Sequence, residues 1–291
     1  MKGHPTADKL VEQQLEVSLC EIEKNADSDL ITSIGPILYG LDDAVRDAVE
    51  GIDSKRPRIL VLLQTDGGYI EVANRISDTL HKFYPQVEFI IPNSAFSAGT
   101  VLAMSGHVIH MDYYSVLGPI DPQVQGKNGN SIPAHGYLIK YEQLIAKSNE
   151  GSISTAELQF LLEKFDPAEL YRYEQAMELS VSLLKDWLVN YKFKNWVTTE
   201  TRRIPVTHQM KLDRAEDIAR KLNDTKRWHS HGLGISMKTL VEELKLQIED
   251  FGTKLALKDS VRRYHRLATD YMGKMGIQTV VHARNDFTSL K

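Results

Sequence analysis

Cysteine is almost absent: Cys20 is the one thiol in 291 residues. No intrachain disulfide can form, and no cysteine cluster can hold zinc. Long apolar runs are missing too. None approaches the ~18 residues that a membrane-spanning helix needs. The opening Met1-Lys2-Gly3-His4-Pro5 runs into polar residues and has no apolar core of a secretory signal. Excess positive charge is also lacking: the formal net charge is −4, which argues against nucleic acid as a general partner. These absences lead to the expectation of a soluble, cytoplasmic protein without a membrane span.

Hydrophobic residues make up 42% and charged residues 25%, so a full core can form. The charge is uneven. From Lys254 onward there are eight Lys or Arg against three Asp. Such a basic end can contact an acidic partner, but it is more often a solvated helix face.

Taken in order, residues 6–25 have an amphipathic pattern, with Leu10, Val11, Leu15, Leu19 and Ile22 as the stripe. Leu30 to Ile34 is a short strand. Residues 37–52 follow helical spacing until Gly51 and Pro57. Arg58 to Leu63 is nearly continuous apolar sequence, as in a parallel strand covered on both faces. The turn Thr65-Asp66-Gly67-Gly68 ends it. Residues 70–83 resume helical spacing, Val87 to Ile91 is a further buried strand, and 97–106 a helix. His107 to Met111 and Val116 to Ile120 are further strands. This alternation predicts an α/β layered fold with a mostly parallel sheet. Residues 123–136 are rich in Gly and Pro and read as a loop. Beyond them the pattern is mainly helical: about 137–148, 155–164, 167–195, 213–223, 236–248 and 258–272. The predicted domains are an N-terminal helix or arm over 1–27, a catalytic domain over 28–250 with a helical insertion at about 137–195, and a basic helical tail over 251–291.

The chain is organised around Asn93-Ser94-Ala95-Phe96-Ser97-Ala98-Gly99-Thr100. A buried strand leads in and a helix leads out. Ser97 can place its hydroxyl in a cleft between small neighbours. Free N–H groups at a helix start can stabilise an oxyanion. An N-cap on a tight turn is the plainer reading of the same residues. Gly67 and Gly68 end the strand that should lie beside the one feeding Ser97. Loops at the carboxyl ends of strands form the ligand crevice of an open α/β sheet. Gly68 N–H and Ala98 N–H are the candidate oxyanion donors, with Gly67 and Gly99 as the supporting turn.

These segments, with Leu117-Gly118-Pro119-Ile120-Asp121-Pro122-Gln123 further on, resemble the serine dehydrogenase proteinase family. That family belongs to the ClpP/crotonase superfamily and is related to signal peptide peptidase A and the NfeD-type peptidases. The resemblance runs from about residue 30 to 150. It implies a ClpP/crotonase-like spiral of ββα units with a helical C-terminal half. It also implies Ser97 as nucleophile, a peptide or protein substrate, and assembly into a homo-oligomer.

A serine nucleophile needs a base. ClpP places a histidine shortly after its serine, whereas this chain has none over 118–122. The peptidase A and NfeD branches use a lysine further on, and that leaves Lys127, Lys140 and Lys147. The resemblance favours Lys140, whose apolar flank Tyr137-Leu138-Ile139 suits a neutral amine. His135 is the alternative base. His208, His229 and His231 lack the carboxylate or cysteine partners of a zinc site, so neither a metal nor a cofactor is expected. The expectation is a serine peptidase-like hydrolase with a Ser97–Lys140 dyad. The alternatives are a crotonase-like acyl-CoA enzyme and a catalytically silent scaffold that binds partners.

Overall fold

The apolar runs around Ile59, Phe89 and Ile109 meet in the middle of one sheet. The computed structural model of the protein describes residues 6–120, 123–125, 131–199, 201–228 and 234–290. Its first part is α1 (Ala7–Ala26), β1 (Asp29–Ile34), α2 (Leu41–Gly51), β2 (Arg58–Gln64), α3 (Ile70–Phe83), β3 (Gln86–Ile90), β4 (Ser94–Ala95), α4 (Ala98–Met104), β5 (Val108–Met111) and β6 (Val116–Leu117). A hairpin of β7 (Gln123–Gln125) and β8 (Ser131–Pro133) follows. Then come α5 (Ala134–Asn149), α6 (Thr155–Lys164) and α7 (Pro167–Trp187), which runs into a π-helical turn at Leu188–Lys192. The chain closes with α8 (His208–Leu222), α9 (Thr225–Trp228), β9 (Ile235–Ser236), α10 (Met237–Glu242), β10 (Ile248–Asp250), α11 (Leu255–Met275), β11 (Thr279–Ala283) and β12 (Asp286–Leu290).

The main sheet has the order β10-β5-β3-β2-β1-β11-β12. It is parallel from β10 to β1, and β11 and β12 continue it antiparallel. A small second sheet, β4-β6-β9, stands beside the carboxyl ends of the parallel strands. The chain repeats one move: main-sheet strand, short outer strand, helix. β3-β4-α4 is one such unit. The bridges Ile37–Gly68 and Thr65–Ala95 are the one-residue counterparts of the outer strand. The repeated ββα unit is the arrangement that the sequence resemblance implied.

Side chains alternate across the strands and so build two cores. Ile31, Val61, Leu63, Phe89 and Ile109 face α2, α3, α4 and the end of α7. Leu30, Leu60, Leu62 and Ile90 face the other way, onto Leu15, Leu19 and Ile22 of α1 and Val261, Tyr264 and Ala268 of α11. Among the described residues no helix is long and apolar enough to cross a membrane.

Four sequence expectations need correction. The first helix is not a free arm, because its Leu15, Leu19 and Ile22 are fully buried under the sheet. The segment 251–291 is not a tail. α11 covers one sheet face, and β11 pairs with β1 in the register Ile31↔Ala283. Three of its basic residues anchor it to the rest of the chain. Arg262 donates to Pro92 O at 2.7 Å and pairs with Asp112, Arg263 pairs with Glu21 at 3.1 Å, and Arg284 pairs with Glu23. The predicted loop 123–136 contains the β7–β8 hairpin and the first turn of α5. Helix α2 begins at Leu41 rather than at Ile37, because Ile37 is drawn into its bridge with Gly68.

Candidate active site

Ser97 stands between β4 and α4 with φ 51° and ψ −119°. A non-glycine residue at positive φ is strained, by about 1–3 kcal/mol in such sparsely populated regions. The strain is held by a dense set of bonds on both sides. Thr65 N–H donates to Ser94 O at 3.1 Å and Phe96 N–H to Thr65 O at 3.0 Å, which ties the outer strand to the end of β2. Gly99 N–H turns back to Phe96 O at 2.8 Å. The Thr100 hydroxyl, fully buried, lies 2.8 Å from Ala95 O and 2.9 Å from Gly118 O, and accepts from Gly118 N–H at 3.0 Å. The elbow is therefore clamped to β6 as well as to β2.

Although Ser97 starts α4, its side chain does not cap the helix. That removes the plain N-cap reading: the hydroxyl makes no hydrogen bond with a described residue. The side chain is 2% exposed, which suits a group screened from bulk water.

The Gly67–Gly68 turn lies directly against the serine. Gly67 has φ 104°, and a Cβ there would lie 2.8 Å from Ser97 Cβ and 3.3 Å from its Oγ. Gly68 has φ 147°, and a Cβ there would lie 2.1 Å from Ile37 O. Both positions thus demand glycine, one for the serine and one for the neighbouring chain. Gly67 O accepts from Ile37 N–H and Tyr69 N–H donates to Ile37 O, each at 2.8 Å. In such a parallel bridge the N–H of the middle residue, Gly68, points away from Ile37, and it donates to no described residue. Ala98 is the first residue of α4, so its N–H belongs to the orphan donors of a helix start. Gly99 is buried so tightly that a Cβ would meet the Thr65 methyl at 2.2 Å.

Lys140 lies on α5, whose inward side carries Leu138 and Leu144. Leu138 packs with Leu170 and Tyr173, and Tyr137 and Tyr141 join that cluster. Lys140 lies off this stripe and is exposed, so its apolar flanks cover α7 rather than the amine. The His135 side chain, Lys127, His229 and His231 lie outside the described residues. Lys147 is engaged with Glu157 at 2.5 Å, and His208 is exposed at the start of α8. Among the described residues, no basic group is hydrogen-bonded to Ser97.

One histidine does stand behind the site. His265 of α11 contacts the Gln64 side chain through Nε2. Burial, and then the charge of Arg262, push its pKa down to about 4. It is a neutral prop for the end of β2. The supporting roles of Thr65 and Thr100 were not legible in the sequence. Thr100 follows the serine motif directly and was a possible signal, but Thr65 had none.

Residues 42–156, which hold both glycines and the serine, match the family described as ClpP-like SDH-type serine proteinase. Two uncharacterized proteins of Methanocaldococcus jannaschii are similar to this chain. One is 34% identical over 77 residues, covering 26% of this chain and 27% of the relative. The other is 33% identical over 64 residues, covering 22% of each. The match thus spans about a quarter of the length of these curated relatives. Among solved structures, a serine-to-alanine variant of the 1510-N membrane-bound stomatin-specific protease has 15% identity and a TM-score of 0.42, over 78% of this chain and 81% of that one. A lysine-to-alanine variant of the same protease, in complex with a substrate peptide, has 16% identity and a TM-score of 0.41, over 76% and 72%.

Proposed function

We propose that this protein is a serine peptidase-like hydrolase. The observation that carries the reading is Ser97 itself. A serine held at positive φ between strand and helix, with its hydroxyl bonded to no described residue and a glycine pressed against it, is strain kept where it serves chemistry. In this reading Ser97 Oγ attacks the carbonyl carbon of a peptide bond. Its proton passes to the Lys140 amine. The oxyanion is held by Gly68 N–H and Ala98 N–H. The lysine then protonates the leaving amine, and water, deprotonated by the same lysine, hydrolyses the acyl-serine. No step calls for a cofactor.

Lys140 is exposed in the single chain, and a general base acts best on a serine where bulk water is kept from both groups. The dyad therefore requires that α5 be covered when the site works. Substrate is one cover and a second copy of the chain another. The helices offer surface for the latter: α6 buries none of its residues, although it carries Leu158, Phe160 and Leu162. A homo-oligomer of peptidases acting in the cytoplasm is the form this reading expects. Sedimentation at micromolar concentration tests it, and a monomer sinks the assembly part.

A fluorophosphonate probe tests the reading as a whole. It should add its mass to Ser97 and to no other serine, and it should block hydrolysis of a peptide pool. If Ser97 stays unlabelled and Ser97→Ala cleaves peptides at the wild-type rate, the assignment is wrong.

A further inference from the structure

Leu38, Tyr39 and Tyr69 are exposed apolar side chains gathered at one backbone junction. Tyr69 directly follows Gly68, and Leu38 and Tyr39 directly follow Ile37. The Ile37–Gly68 bridge fixes the two segments side by side. The rings of Tyr39 and Tyr69 stand 4.6 Å apart and 31° from parallel. Even so, Tyr39 is 67% and Tyr69 46% exposed, so the pair offers solvent a preformed aromatic surface. Neither hydroxyl hydrogen-bonds a described residue, so among those residues the rings, not the oxygens, define the feature.

Position decides the occupant. Gly68 N–H, the proposed oxyanion donor, immediately precedes Tyr69 in the chain. A peptide whose carbonyl rests on that N–H must run along this turn. A side chain flanking its scissile bond then passes over the rings. A carboxylate or amide side chain there gives up water and gains no hydrogen bond from two aromatic faces. An aromatic or long aliphatic one exchanges water for apolar contact.

We propose that Tyr39 and Tyr69 are the specificity-determining residues of the Ser97 site. They bind a large apolar side chain of a polypeptide substrate beside the bond that is cut. This rests on the peptidase reading above.

The test uses the full chain and paired peptides that differ at one position, Phe or Leu against Ser, scanned along the sequence. Wild-type kcat/KM gives turnover, and fluorescence anisotropy with Ser97→Ala gives binding without turnover. At one position flanking the cleaved bond, the apolar peptide should be favoured about tenfold or more in both. Tyr39→Ala and Tyr69→Ala should each reduce that ratio, mainly through KM, and the double variant should bring it near unity. Tyr39→Phe and Tyr69→Phe should keep it, a rescue that general loss of structure would not give. An unchanged ratio in the double variant overturns the proposal, as does a wild type without preference. If Ser97 reacts with the fluorophosphonate and peptides are cut without preference, this proposal alone fails. If Ser97 does not react and no peptide is cut, the peptidase reading fails and this falls with it. Should the tyrosine variants change the sedimentation coefficient while the ratio holds, the rings belong to a contact between copies, and the proposal is overturned.

Discussion

Gly67 is pressed against Ser97: a Cβ at the glycine would lie 3.3 Å from the serine hydroxyl oxygen. Two separate turns, one after β2 and one after β4, thus share a single small volume. Gly67→Ala should be damaging twice over. The new methyl meets Ser97 Cβ at 2.8 Å, and the backbone at φ 104° resists any L side chain. We expect a loss of about 1–3 kcal/mol in urea unfolding. Whatever fraction folds should have lost fluorophosphonate labelling. A variant of wild-type stability and reactivity would show that the turn is not as tight as described.

Ser97→Gly and Ser97→Ala should part in stability while agreeing in activity. Glycine relieves positive φ, and alanine keeps the strain while removing an oxygen that caps nothing. Ser97→Gly should therefore unfold later than Ser97→Ala, by up to about 1 kcal/mol, the scale of the penalty for an L residue in left-handed backbone. Neither should hydrolyse peptides. Equal melting curves for the two would mean that the elbow carries no strain in solution.

Lys140→Arg and Lys140→Met should both be nearly inactive if the amine takes the serine proton, since a guanidinium does not release its own. Lys147→Ala should stay active, because that side chain serves the α5–α6 contact through Glu157. His135→Ala is the control that separates mechanisms: it changes little under a lysine base and removes most activity under a histidine base. Initial rates on one peptide, with circular dichroism to verify folding, decide among them.

Acid should destabilise the protein before its carboxylates titrate. Burial pushes the pKa values of His81 and His265 down to about 4, and that of His107 downward as well. His81 stacks on Tyr191 at 3.6 Å and contacts Ser105 O at 2.9 Å. The folded chain thus holds these rings neutral where the unfolded chain, near pH 6.5, already protonates them. Their stabilisation is complete above about pH 6.5 and is lost as pH falls toward about 4. Urea midpoints measured across that window should drop, and His81→Gln with His265→Gln should flatten the slope. A flat wild-type profile would mean that these rings are not desolvated.

Periodicity carried far through the first half of the chain. The observed bounds of α3 are those its apolar spacing predicts, and β2 and β3 lie within a residue of theirs. The Gly67–Gly68 and Ser97 turns were legible because each is a local exception, small residues where a strand stops. The end of the chain was less so. Its strand β11 is a short run, Val280-Val281, and nothing nearby marks its partner. That partner is β1, at the other end of the sequence. Long-range pairing of this kind leaves no periodic trace.

What the sequence by itself determined is the order of the main strands and helices in the first half of the chain and the residues of the two turns, since both follow from neighbours along the chain. Tertiary structure alone decided that α1 and α11 share one core beneath the sheet, and that Arg262 of α11 reaches the chain at Pro92 and Asp112. It alone decided that the hydroxyl of Ser97 is left without a cap, and that Lys140 falls outside the apolar stripe of α5. A composition, a period or a motif records what a residue is. Which groups a residue meets, and whether water reaches it, depends on segments that only folding brings together.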